Sequence, residues 1–270
     1  MSAPGNDAGN DTGNDAGNDT VTGLADGVLT LTFRRVAQHN ALTWAMYDAL
    51  VAACDRADTD DAVRVLVVRG DGGRAFVAGT DIGQFAAFTS GADGVAYERQ
   101  VTAVLDRIRA VEVPTVAAVD GFCVGGGLGI ACATDLRIAT PGSRFGVPIA
   151  RTLGNCLSAR TLDLLVETLG RGLTADLLLT ARLLETGEAR LVPGFLHAVV
   201  DDLDAGLTDL TGRLASGAPL TIWATKELLR RPPGDRGDDT AVVERVYGSA
   251  DFRGAVAAFG AGSRPEWTGR

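Results

Sequence analysis

Lysine and histidine are nearly missing from this 270-residue chain: Lys226 is its sole lysine, and His39 and His197 are its only histidines. With 34 acidic side chains against 25 basic ones the formal net charge is −9, so nucleic acid is not an expected partner. The four cysteines, Cys54, Cys123, Cys132 and Cys156, show no Cys-x-x-Cys spacing, and with two histidines they make a poor zinc-ligand set, so no metal is expected. They read instead as reduced, mostly buried thiols. No apolar run approaches the roughly 18–20 residues that span a bilayer, which removes a membrane partner. The N-terminal stretch lacks the basic and apolar regions of a secretory signal, and a cytoplasmic location is expected.

What is present is glycine (35 residues) and a 46% hydrophobic fraction, enough for one sizeable core. Four copies of Gly-Asn-Asp-Ala/Thr run from Gly5 to Thr20. They carry no large apolar side chain to offset ordering entropy, so residues 1–20 are expected to form a disordered tail. Beyond it strand and helix signals alternate. Val28–Phe33, Val63–Val68, Thr115–Val119, Leu136–Ala139 and Ala198–Val200 read as strands. Thr43 caps a helix carrying Met46, Tyr47, Leu50, Val51 and Cys54. A second helix near Asp93–Val111, with Asp93 as its cap, carries Tyr97, Val101, Val104, Leu105 and Ile108. From Ala159 onward the pattern is mainly helical. The reading is α/β with parallel pairing, residues 21–200 forming the core and 201–270 a helical region over it.

Two glycine-rich segments follow predicted strands. One is Ala75-Phe76-Val77-Ala78-Gly79-Thr80-Asp81-Ile82, and the other runs from Ala117 through Gly125-Gly126-Gly127 to Ile130. Glycine lets backbone approach a ligand, and a helix start presents unpaired N–H groups that favour negative charge. The second segment fails the dinucleotide fingerprint, because the sixth position counted from Gly125 is Ile130. It fails the phosphate-loop pattern too, having no Gly-Lys-Ser/Thr. Tight strand–helix packing alone would also explain it.

Taken together, AFxAGxDI, then PTVAAVDGFxxGGG, DLRIA and FGVP resemble the signature of the enoyl-CoA hydratase/isomerase (crotonase) superfamily in order and spacing. The likeness runs from about Val21 to Arg270 and includes His39–Leu42, Glu188–Val200, the helix around Lys226 and the ending RPEWTGR. The resemblance implies a crotonase-like ββα spiral core with a C-terminal helical layer, a homotrimer or hexamer, and an acyl-CoA substrate with no cofactor beyond its coenzyme A. It implies an oxyanion hole from the backbone N–H groups of Ala78 and Gly126, with Gly125 beside it. Pantetheine would run along Ala37, His39, Ala41 and Leu42 and along Phe76 and Val77, with Asp81, Ile82 and Ile149 nearby and Lys226 toward the nucleotide.

The departures from the family matter as much. Its hydratases carry one glutamate after the GGGx run and a second after FGxP. Here those positions hold Gly129 and Ile149, neither able to carry a proton. Substitute groups are Arg151, Asn155, Cys156 and Ser158, in a polar stretch beyond Ile149, and Tyr97 and Glu98 on the second helix. Cys156 lacks a histidine partner and reads as a packed thiol; Glu98 reads first as a solvated helical carboxylate. Asp81 and Asp120 read as loop braces. Three functions fit: a hydratase or isomerase with a non-standard acid/base, a decarboxylase or C–C lyase with Arg151 gripping a substrate carboxylate, and an inactive acyl-CoA-binding homologue.

Overall fold

The computed structural model describes residues 19–231, 234 and 237–270. Residues 1–18, which hold most of the glycine–asparagine repeat, therefore lie outside the described residues. The end of the repeat does not: Thr20 is buried and opens the first strand opposite Phe33, one residue before the expected boundary.

Among the described residues, ten strands, numbered along the chain, form two sheets. The larger has the order β1 (Thr20–Ala25), β2 (Val28–Phe33), β3 (Val65–Gly70), β5 (Thr115–Val119), β7 (Leu136–Ala139), β10 (Ala198–Val199). All its pairs are parallel except the β1–β2 hairpin. The smaller sheet has the order β4 (Ala75–Val77), β6 (Phe122–Val124), β8 (Arg144–Gly146), β9 (Leu184–Glu185), the last pair antiparallel. The helices are α1 (Trp44–Thr59), α2 (Gly91–Ala110), α3 (Gly126–Ala133), α4 (Ala159–Leu169), α5 (Arg171–Thr180), α6 (Thr186–Ala189), α7 (Leu203–Ala215), α8 (Pro219–Arg230), α9 (Thr240–Tyr247) and α10 (Ala250–Gly260).

Alternation along β3 sets the layering. Leu66 and Val68 join the core beneath α1, α2 and α3, whereas Val65 and Val67 face Leu203, Leu207 and Leu210 of α7. A strand covered on both faces needs apolar residues at successive positions, as this β-branched run supplies. Truncating fully buried Leu66 to Ala would cost about 2–5 kcal/mol. The run predicted from Val63 pairs only from Val65, because Arg64 and Val65 first close the turn onto the Gly27 carbonyl.

Capping chemistry decides where the site helices start. The Thr43 hydroxyl accepts from the Met46 N–H and so begins α1 as expected. Helix α2 begins earlier than predicted: Ser90 is its cap, and Asp93, placed third in the helix, accepts from the Ser90 N–H at 2.8 Å. Asp93 is thus the return half of a capping box.

Candidate active site

The two glycine-rich segments meet where β4 and β6 lead toward α3, and the cavity between them is about 190 Å³. Its wall includes Ala78, Gly79, Thr80, Ile82, Gly125, Gly126, Glu98, Ile149 and Asn155. The loop before α1 and the loop after β4 form one braced unit. Leu42 N–H donates to the Gly79 carbonyl at 2.8 Å, and Asp81 N–H to the Leu42 carbonyl at 2.9 Å. Gln84 ties both sides, accepting from Trp44 N–H and donating to the Leu42 carbonyl. Arg35 holds the Ala41 carbonyl at 2.7 Å and the Asp81 carboxylate at 2.8 Å. Asp81 also accepts from Gly83 N–H, and these contacts hold its carboxyl below the usual carboxylate range. It is a brace, as read from the sequence; Asp120, which accepts from the Thr140 hydroxyl, is another.

The same bracing corrects the first proposed oxyanion donor. Ala78 N–H donates to the His39 carbonyl at 3.1 Å, so it is already engaged inside the protein. Gly79, at φ 105°, turns the chain in a way a side chain would strain. Leu42 and Thr80 then form a parallel bridge whose hydrogen bonds use the Gly79 carbonyl and Asp81 N–H. In such a bridge the backbone of Thr80 itself faces the other way. Its N–H has no internal acceptor among the described residues, and Thr80 lines the cavity.

Gly126, the first residue of α3, also has a free N–H, as helix starts do. A Cβ added to it would lie 2.8 Å from the Tyr47 hydroxyl and 3.5 Å from that of Thr80. Thr80 and Gly126 are therefore neighbours across the cavity.

Thr80 is held by a chain of hydroxyls that the sequence did not reveal. Its Oγ1 lies 3.0 Å from Tyr47 Oη and 2.7 Å from Tyr97 Oη. Burial raises both phenols above their ordinary range, so they remain protonated hydrogen-bonding groups. Tyr47 and Tyr97 lie 33 and 17 residues from Thr80, spacings that carry no local signal.

Glu98 is the one carboxylate in the cavity wall among the described residues. Burial raises its pKa, opposed in part by the Ser158 N–H that donates to it at 2.7 Å. It is half-buried rather than a solvated surface acid. Ser158 caps α4 and bonds Thr102 and Thr161, so its hydroxyl is structural. Arg151 is exposed and outside the cavity wall, as is Cys156. The positions of the two family glutamates are apolar walls: Ile149 lines the cavity, and a Cβ on Gly129 would meet Leu105 Cδ1 at 3.3 Å.

Other expected contacts lie outside the cavity. Ala37 is exposed, His39 and Ala41 are half-buried, and Leu42, Phe76 and Val77 are fully buried, so only their backbone is available to a ligand. The expected nucleotide contact at Lys226 is not met. Its ammonium is buried and donates to the Val113 carbonyl at 2.6 Å and to Asp135 at 2.5 Å. No cluster of metal-binding side chains occurs among the described residues.

Comparison with known proteins identifies the class. The sequence profile of the enoyl-CoA hydratase/isomerase family matches residues 23–264, and the chain belongs to that family. It is 28% identical over 241 residues to the short-chain-enoyl-CoA hydratase of Clostridium acetobutylicum, covering 86% of this chain and 90% of that one. It is 26% identical over 233 residues to the mitochondrial Delta(3,5)-Delta(2,4)-dienoyl-CoA isomerase of Dictyostelium discoideum, covering 82% and 77%. The crystal structure of an enoyl-CoA hydratase/carnithine racemase from Magnetospirillum magneticum superposes with a TM-score of 0.88 at 28% identity, over 95% of this chain and 97% of that one. The fold is the crotonase fold, and its relatives include both hydratases and isomerases of acyl-CoA thioesters.

Proposed function

We propose that this protein is an acyl-CoA isomerase that holds a thioester enolate between the N–H groups of Thr80 and Gly126, with Glu98 moving the proton. The observation that carries the reading is the convergence of two unpaired amides and a single carboxylate of raised pKa on one cavity. Loss of an α-proton places negative charge on the thioester oxygen. Two fixed donors there stabilise it, each worth about 2.7–4 kcal/mol of barrier. Moving a double bond then needs one group to take a proton at one carbon and return it at another. Syn hydration asks more, because a water must be held and split between two acid/base groups. One carboxylate suits the first task. No cofactor beyond the coenzyme A of the substrate enters this scheme.

Decarboxylation or C–C cleavage is the second reading, favoured by the apolar walls at Gly129 and Ile149, since enolate formation by loss of CO₂ needs no base. Its expected carboxylate-binding residue, Arg151, stands outside the cavity, which weakens it. An inactive binder has no use for a half-buried Glu98.

The experiment is to incubate the purified protein with 3-hexenoyl-, crotonyl- and methylmalonyl-CoA and identify products by mass spectrometry. Conversion of the 3-enoyl ester to the 2-enoyl ester, with little hydration of crotonyl-CoA, is expected. Loss of CO₂ from methylmalonyl-CoA alone would favour the second reading. Binding without turnover of any ester would overturn the enzyme.

A further inference from the structure

With three Trp, three Tyr and nine Phe in the whole chain, five aromatic side chains gather beside the cavity. Phe85 packs edge-on against Phe88 and Tyr97, at ring separations of 5.2 and 4.9 Å, and Trp44 lies behind Tyr97 and Tyr47. Beyond this cluster the molecule opens into a groove of about 840 Å³ between the first turns of α2 and the segment 153–160. Six residues belong to both spaces: Phe85, Tyr97, Glu98, Leu153, Asn155 and Leu157. The groove thus adjoins the cavity that holds the candidate reacting centre, and Glu98 stands in the wall common to both.

Size separates the two spaces. The smaller cavity, at about 190 Å³, falls below the roughly 300–1,000 Å³ of sites that engulf a drug-sized ligand, whereas the groove lies within that range. The groove also exposes Val95 and Leu153, and Phe88 at its rim, large apolar side chains that a soluble surface does not usually gather in one strip. On the α2 side the wall is thinned by Gly91 and Gly94, where an added Cβ would meet nothing within 4 Å. The space is therefore wide where helix side chains would otherwise narrow it.

We propose that the groove holds the distal part of the substrate's acyl chain, and that the protein acts on thioesters with an extended apolar acyl tail rather than on four-carbon esters. The inference rests on the acyl-CoA reading above. The occupant follows from adjacency: a chain whose thioester oxygen sits between Thr80 and Gly126 and whose reacting carbons lie beside Glu98 has its far end directed toward the wall that cavity and groove share. A four-carbon acyl group ends inside the smaller cavity and leaves the apolar strip of the groove wet.

Affinity for saturated, unreactive esters tests this without turnover. Each fully buried methylene contributes about a fourfold gain in affinity, so eight further carbons half-buried in an open groove should give at least about a hundredfold. Calorimetry on the full chain with butyryl-CoA and dodecanoyl-CoA should show the longer ester binding tighter by that factor. Gly94→Trp, which fills the groove, should collapse the ratio. Val95→Asp, an exposed change compatible with the helix, should do the same in part. Equal affinity for the two esters overturns the tail assignment while leaving the acyl-CoA reading intact. Binding of neither ester overturns both.

Discussion

The Ala78 N–H donates to the carbonyl of His39 at 3.1 Å. That contact settles which face of the loop after β4 is used internally, and it leaves the Thr80 N–H, two residues on, facing the cavity. The donor pair we propose is therefore Thr80 and Gly126 rather than Ala78 and Gly126. Thr80 is in turn held by the hydroxyls of Tyr47 and Tyr97. Tyr47→Phe removes one of these bonds and should cost about 1 kcal/mol of stability by urea denaturation. If the bond aims the Thr80 amide, kcat should fall about fivefold with KM unchanged. A change in KM alone would show that Tyr47 only shapes the pocket.

Glu98 makes a prediction in pH. Burial raises its pKa, so over the interval between its ordinary and raised values the folded protein holds a proton that the unfolded chain has lost. Stability then falls as pH rises through that interval. Glu98→Gln, which can still accept from Ser158 N–H, should raise the melting temperature near pH 7 and leave it unchanged near pH 3. The same substitution should reduce turnover by about 10²–10⁴-fold and abolish the rise of kcat/KM with pH that a carboxylate base gives. Full activity in the glutamine variant would remove Glu98 from the chemistry.

Lys226 should behave as a structural group. Its ammonium neutralises Asp135, which also accepts from the Thr115 N–H and hydroxyl. Lys226→Met removes the bonds to Val113 and Asp135, but that carboxylate is 35% exposed and can be solvated, so the change should destabilise by only about 1 kcal/mol. Denaturation midpoints and ester affinities measured on the same sample separate the roles. Lower stability with unchanged affinity is expected; the reverse pattern would restore a nucleotide contact.

The C-terminal tail is latched by Asp251. Its carboxylate accepts from Thr268 N–H and hydroxyl and from Gly269 N–H, at 2.7–2.8 Å. Burial works to raise its pKa, but these donors outweigh it and the net shift is downward. A depressed carboxylate stabilises the fold above its unfolded value and loses that effect as pH falls through the lowered one. The Thr268 and Gly269 amides should therefore stay protected from hydrogen exchange at pH 4. Asp251→Asn should expose both at neutral pH; protection equal to wild type would show the tail is held elsewhere.

Much of the frame was legible because period and composition act locally. The limits of β2, β5 and β7 follow from β-branched runs bounded by turns, and Thr43 marks α1. The smaller sheet was not legible as a sheet: its strands are two or three residues long, too short to show a period, and only their pairing defines them. The two glycine segments pointed to the cavity, since backbone approach demands glycine wherever in the fold it occurs. Which amide in the first segment is free depended on a carbonyl 39 residues earlier in the chain, at His39, and no local pattern records that. The fate of Lys226 depended on Asp135 in the same way, across 91 residues. Glu98 looked like any helical carboxylate until Ser158 and the cavity were placed around it.

The most direct test of the central claim compares Gly126→Pro with Gly126→Ala on the ester that wild type turns over. Both variants place a Cβ against the Tyr47 hydroxyl, but only proline deletes the N–H, at a first helical position that tolerates it. If that amide stabilises the enolate, kcat for the proline variant should fall about 10²–10³-fold below that for alanine. Equal rates in the two variants would contradict an oxyanion hole at Gly126.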